Sequence, residues 1–181
     1  MVLKRKFYNR DTLQTAQDLL GCFLVRKIGR KTIRAMITDV EAYVGEDDLA
    51  SHASKGRTPR TEMMYGEAGH AYVYLVYGMH NVMNVVTEKK NFPAAVMLRG
   101  VKIGGVDYAK TNGPGKLCKI LQIDRQLSGH DLTQCENLWI EKGEKISKAK
   151  IKTGKRIGID YARHCQHYLW RFYIDIQSAR C

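Results

Sequence analysis

Proline is scarce in this chain. There are three in 181 residues, and none sits in a cluster that would mark a linker. No internal repeat or low-complexity stretch divides the sequence either. Cysteine offers no scaffold: Cys22, Cys118, Cys135, Cys165 and Cys181 are odd in number and form no CxxC. A disulfide framework and a zinc ribbon are therefore excluded, and reduced thiols in a cytosolic protein fit better. His164, Cys165 and His167 lie close together, but a packing or surface role suits them better than metal binding. Residues 68–87 carry no charged side chain, yet they include Gly69, His70, Gly78, His80, Asn81 and Asn84. That is poor transmembrane material and reads better as a pair of buried strands. No apolar segment follows Lys4, Arg5, Lys6 and Arg10, so no signal peptide is expected and the protein should be cytoplasmic, associated with the nucleoid. Also missing are a GxxxxGK[ST] phosphate loop, the HxE and PCxxC pair of zinc nucleobase deaminases, and GxSxG.

Acidic residues are outnumbered 18 to 30, which gives a net charge of +12. Such a surplus in a small protein points to a polyanionic partner, most often nucleic acid. With 44% apolar and 27% charged residues, the composition is that of a globular chain. Its length predicts one domain over residues 1–181, with a core that needs no covalent staple.

Asp11 and Gln14 suit the start of a short helix, whose face holds Leu13, Ala16 and Leu20 before Gly21 stops it. Strands are predicted from Cys22 to Ile28 and from about Thr32 to Tyr43. In the second, Ile33, Ala35 and Ile37 alternate onto one face, and the same parity continues through Asp39, Glu41 and Tyr43. Either that face buries carboxylates, which demands partners, or the strand ends at Asp39 and the acids meet water. A long polar connection, 44–69, carries His52, Lys55, Arg57 and Arg60. Further strands are expected at His70–Tyr77, Met79–Thr87 (with Asn84 inside), Ala94–Arg99, Leu138–Glu141, Arg156–Ile159 and Tyr168–Ile176. A helix is expected at Pro114–Leu121, with the proline near its first position. Between Lys142 and Arg156 seven basic residues face one acid, Glu144. They read as a solvated hairpin or as a stripe facing phosphates. Strands that do not alternate regularly with helices predict an α+β fold: a curved, mostly antiparallel sheet with short surrounding helices.

The chemistry gathers around Glu41 and Tyr43, a basic loop with His52, and the tyrosines 72, 74 and 77. Aromatics beside cations suit base stacking with phosphate contact, and a nearby carboxylate can activate water. Two other readings use the same residues. Asp39, Glu41 and Glu46-Asp47-Asp48 could hold Mg²⁺ in a nuclease, and the charge alone would suit a non-catalytic nucleic-acid-binding protein.

Several stretches in order resemble one family: Asp39–Tyr43; Glu46-Asp47 with Ala50-Ser51-His52; Thr58-Pro59-Arg60; Gly69–His80; Met83-Asn84-Val85; Leu98-Arg99; Asn112–Cys118; Arg156–Ile159; Arg171-Phe172-Tyr173. The chain resembles the alkyladenine (3-methyladenine, or methylpurine) DNA glycosylases over roughly residues 8–176, and His80 resembles the bacterial branch. Leu49 and Ala68 stand where many relatives have proline. The resemblance implies a monofunctional, monomeric base-excision-repair enzyme acting on duplex DNA without metal or cofactor. Its expected substrates are 3-methyladenine, 7-methylguanine, hypoxanthine and ethenoadenine. On this reading Glu41 activates water at the sugar C1′. Tyr43 stacks on one side of the flipped base, with Tyr74 and His52 on the other. Asn84 crowds out the guanine 2-amino group, Tyr77 with Met79 fills the vacated stack, and Arg99 and, less strongly, Arg60 hold backbone phosphates. A cationic methylated purine would also gain from an aromatic cage.

Overall fold

A computed structural model describes residues 1–176. The fold is α+β, built on one antiparallel, unclosed sheet of eight strands. These are β1 (Phe23–Ile28), β2 (Lys31–Val44), β3 (Ala71–Val76), β4 (His80–Val86), β5 (Ala94–Lys102), β6 (Leu138–Glu141), β7 (Ile151–Gly154) and β8 (Arg171–Ile174). The main order is β3-β4-β5-β2-β1-β6, while β8 pairs with both β2 and β7. Three short helices accompany the sheet: α1 (Arg5–Tyr8), α2 (Thr12–Leu19) and α3 (Pro114–Ile120). The Asp11 side chain caps α2 by accepting from the Gln14 amide, which satisfies one otherwise orphaned N–H. Pro114 opens α3 as expected. Among the described residues, no helix is long and apolar enough to cross a membrane.

The long strand β2 organises the sheet. One edge pairs with β5 from Met36 to Val44. Its other edge is shared, Lys31–Met36 with β1 and Asp39–Glu41 with β8. The changeover coincides with a bulge, where the β2–β5 register shifts on either side of Asp39. An extra residue in one strand of a pair reverses which side chains face which way. Ala35 and Ile37 lie in the main core before the bulge, and Val40 and Ala42 lie there after it. Asp39, Glu41 and Tyr43 are thereby turned to the opposite face. This corrects the continuous parity expected from sequence. Both alternatives offered for the acids also change: they are buried, but behind the apolar core face. The neighbouring strands follow the same division. Ala71, Val73, Met83, Val85, Val96 and Leu98 enter the core, where α2 packs on β2 and β5, and α3 on β4 and β5. Tyr72, Tyr74, Asn84, Met97 and Arg99 face the other way, into a cavity.

Two further expectations are revised. Arg156–Ile159 is not a strand: β7 ends at Gly154, and the chain then turns inward with Gly158 at φ +75°. The last strand is shorter than predicted, Arg171–Ile174, and Cys181 lies outside the described residues. The polar connection after β2 is well packed, with short 3₁₀ turns at His52–Lys55 and Glu62–Tyr65. Its end is tied down by Arg5, which donates to the Ala68 carbonyl at 2.6 Å and to Asp131 at 2.7 Å.

Gly69 allows the chain to enter β3 at φ +84°, where an added Cβ would stand 2.8 Å from the buried Tyr8 ring. Gly69→Ala is expected to lower stability by about 2–4 kcal/mol, combining left-handed backbone strain with overpacking. Urea unfolding measures this directly, and an unchanged midpoint would contradict it.

Candidate active site

The cavity encloses about 810 Å³, within the range of small-molecule sites. Tyr43 reaches it from the end of β2, Tyr72 and Tyr74 from β3, Asn84 from β4 and Arg99 from β5. His52, on its 3₁₀ turn, and Arg60 close the side formed by the connection after β2. The loop after β7 supplies Ile157 and Ile159. Tyr77 lies at the mouth, on the β3–β4 tip.

Glu41 lies just beneath this lining, fully buried. Two hydrogen bonds and one ion pair hold its carboxylate. The Tyr43 phenol donates to Oε2 at 2.8 Å, the Ile157 amide donates to Oε1 at 2.8 Å, and Arg99 approaches Oε1 at 3.2 Å. Burial raises the Glu41 pKa above an ordinary carboxyl's, and Arg99, the Ile157 amide and Tyr43 only partly oppose it. Tyr43, Ile157 and Arg99 all line the cavity, so the carboxylate lies directly behind them.

The aromatic walls are preformed. His52 shares a 3.1 Å hydrogen bond with the Tyr72 phenol, and its ring centroid lies 4.5 Å from that of Tyr74. Burial, with Arg60 and Lys55 nearby, lowers the His52 pKa to about 4, so the imidazole is neutral at physiological pH. Asn84 is buried and donates to the Tyr72 carbonyl at 3.1 Å, which fixes its amide in the cavity wall. At the β3–β4 tip, Tyr77 is 85% and Met79 70% exposed. Tyr77 sits at φ +52° beside Gly78 at φ +70°. A non-glycine residue in the left-handed region costs about 1–2 kcal/mol, so a strained aromatic is being presented to solvent.

The remaining carboxylates are dispersed. Arg171 grips Asp39 through Nε and Nη2 at 3.0 and 2.8 Å. The Tyr65 phenol donates to Glu46 at 2.6 Å, and Asp48 is bound by Arg156. Among the described residues, no group of three or more His, Cys, Asp or Glu side chains is placed to hold a metal. The cluster that a Mg²⁺ nuclease would need is therefore not assembled. Cys165 is buried, with its Sγ 3.4 Å from His164 Nε2.

Arg156 was expected in the basic stripe. Instead it is fully buried, since its charge has found a partner inside. Nη2 reaches Asp48 Oδ1 at 2.8 Å, and Nη1 donates to Asp48 Oδ2 and to the Ala42 carbonyl. The guanidinium lies 4.8 Å from the Tyr43 ring centre and 5.1 Å from that of Trp170. It thus ties the loop carrying the Ile157 amide to the strand carrying Glu41 and Tyr43. Sequence reasoning passed over Asp48 and Arg156 as a pair and the Ile157 N–H. The only hint of the first two was that both lie in or beside the family-like motifs.

The model of the methylpurine-DNA glycosylase family matches residues 6–178. The chain belongs to that family. A relative from Methanocella arvoryzae is 45% identical over 95% of this chain and 92% of its own length. One from Desulfitobacterium hafniense is 42% identical over 96% and 95%, and one from Legionella pneumophila 44% identical over 95% and 93%. All three carry the provisional name 3-methyladenine DNA glycosylase.

Breaking one partner of a buried ion pair strands the other, at about 3–5 kcal/mol. Arg156→Met is expected to lose that much in urea unfolding. Removing the exposed Arg57–Glu62 pair should barely move the midpoint. Equal effects of the two changes would contradict the assignment.

Proposed function

We propose that this protein excises damaged purines from duplex DNA by hydrolysing the N-glycosidic bond, with water activated by Glu41. The observation that carries the proposal is a buried carboxylate, held by two hydrogen bonds and an arginine charge, beneath an aromatic cavity and beside an exposed aromatic hairpin tip. A purine inside a duplex is out of reach of such a cavity and has to be flipped out. Tyr77, with Met79 beside it, is placed to fill the vacated stack. The flipped base stacks between Tyr43 and the Tyr74–His52 pair, where stacking contributes about 1–3 kcal/mol per base. The Asn84 amide, held by the Tyr72 carbonyl, crowds the position of a guanine 2-amino group.

In the reaction the C1′–N9 bond breaks and the departing purine keeps the electron pair. Positive charge develops on the sugar, as in glycoside hydrolysis, and an adjacent carboxylate stabilises it. Water forms the new C1′–O bond and gives its proton to Glu41. Arg99 holds the carboxylate from the cavity side, and its position also suits a phosphate flanking the flipped nucleotide. No lysine is needed as a nucleophile. The product is an abasic site in an unbroken strand, released by a monomeric enzyme of the cytoplasm that needs no metal or cofactor. The lesions are 3-methyladenine, 7-methylguanine, hypoxanthine and ethenoadenine.

Duplex oligonucleotides carrying hypoxanthine or ethenoadenine, and methylated DNA in parallel, test this with EDTA present. Strand breaks are expected only after hot alkali. Glu41→Gln should slow base release by about 10²–10⁴-fold, the usual contribution of a general base. Base release that survives Glu41→Gln, or breaks without alkali, would refute the mechanism.

The pH profile gives a second test. Glu41 must be ionised to act, and its pKa is raised, so the acid limb of kcat/KM should lie above the ordinary carboxyl value. Arg99 lowers that pKa, so Arg99→Gln should move the limb to higher pH. A fixed or downward-moving limb would contradict this.

A further inference from the structure

The charged side chains lining the cavity are Arg60, Arg99 and Lys116, and no carboxylate lines it. Arg99 is compensated by Glu41. Arg60 and Lys116 are not: among the described residues neither has a carboxylate in ion-pair range. The Arg60 guanidinium lies over the Tyr74 ring, 5.6 Å from its centre, while Lys116 donates to the Ala109 carbonyl at 2.9 Å. The opposite stacking wall, Tyr43, has the Arg156 guanidinium against it. The cation against Tyr43 is neutralised by Asp48, whereas the one over Tyr74 has no such partner among the described residues, so the uncompensated charge lies on the Tyr74 wall. An aromatic cage attracts a cationic ligand only while its rings are free to do so.

A lesion's charge decides how it meets this field. A neutral purine leaves with the electron pair of the C1′–N9 bond, and its base becomes negative until a solvent proton arrives. A fixed cation stabilises that developing charge. A permanently cationic methylpurine leaves as a neutral base instead, and carries its positive charge into the cavity against Arg60 and Lys116. Resting on the glycosylase reading above, we propose that Arg60 selects lesions by charge, favouring purines that are neutral before the bond breaks over cationic methylpurines. This replaces both sequence expectations at this place: a phosphate contact for Arg60, and a cage that rewards positive charge. His52 adds no positive charge of its own, because burial and the same guanidinium keep it neutral.

Arg60 is exposed on a loop, so replacing it leaves the core untouched. Wild type, Arg60→Gln and Arg60→Lys are compared in single-turnover base release from duplexes bearing one hypoxanthine or one 7-methylguanine. Arg60→Gln should slow hypoxanthine release by about two- to fivefold, the scale of one exposed charge. Release of 7-methylguanine should stay the same or rise, with tighter binding of that duplex. Arg60→Lys should keep the wild-type ratio. Equal losses on both lesions with a shallower salt dependence would make Arg60 a phosphate contact and overturn the proposal. Unchanged rates on both would overturn it too. A wild type that releases neither base refutes the glycosylase reading itself. Release that depends on Glu41 but not on Arg60 refutes only the charge selection.

Discussion

A carboxylate with no exposed surface is the constraint on which the rest of this structure depends. Glu41 has lost its water, and an ionised group in that position is tolerated only if donors replace the water. Compensation comes from three places: the Tyr43 phenol on the same strand, the Arg99 charge on the neighbouring strand and the Ile157 amide from a loop more than a hundred residues away. Each needs its own structural support. Two residues' spacing along β2 puts Tyr43 on the face of Glu41. Arg99 lies on that face next to the register shift between β2 and β5. The Ile157 loop is held in place by the preceding residue, Arg156, through Asp48 and the Ala42 carbonyl. Two buried ion pairs are thus arranged in series, and the inner one depends on the outer for its backbone donor.

The sheet separates stability from chemistry. Its core face is aliphatic and covered by α2 and α3. The other face carries the tyrosines, Asn84, Arg99 and Glu41. Side chains anchored on paired strands are positioned more tightly than side chains on loops, and this suits the stacking walls and the carboxylate. The exposed tip of the β3–β4 hairpin is different. Tyr77 keeps a left-handed backbone and an almost free ring, a strained and solvated state that the interior of a sheet would not tolerate. The same hairpin joins Tyr74 in the cavity to the exposed Tyr77, three residues further along the chain.

Much of this was legible in the residues. Alternation located β2, the uncharged stretch 68–87 located β3 and β4, and the Asp11 cap and Pro114 located α2 and α3. Glu41, Tyr43, His52, Tyr74, Asn84 and Arg99 do come together around one cavity, and Tyr77 and Met79 do stand out from it. The bulge in β2 was not legible. Thr38 and Asp39 are unremarkable as residue types, and one inserted residue reverses the face of everything after it. Arg156 was hidden for another reason: charge counting sees a basic run, whereas burial depends on whether Asp48 arrives from a hundred residues away. The Ile157 donor is a backbone amide and has no side-chain signature at all.

Burial acts on Glu41 and His52 in opposite directions. It raises the pKa of Glu41, which becomes a better proton acceptor, and it lowers that of His52, which becomes a neutral hydrogen-bond partner of Tyr72. A histidine that titrates near pH 4 has no proton to give to a departing purine at neutral pH. On the proposed reading, His52 is therefore a positioning group for Tyr72 and not the source of a proton. On the same reading, fixed charge can help the leaving base, and the arginines and lysine lining the cavity are all positive. A neutral purine leaving as an anion is the species that such a lining stabilises most, while a cationic one brings its own leaving-group activation and needs the lining least.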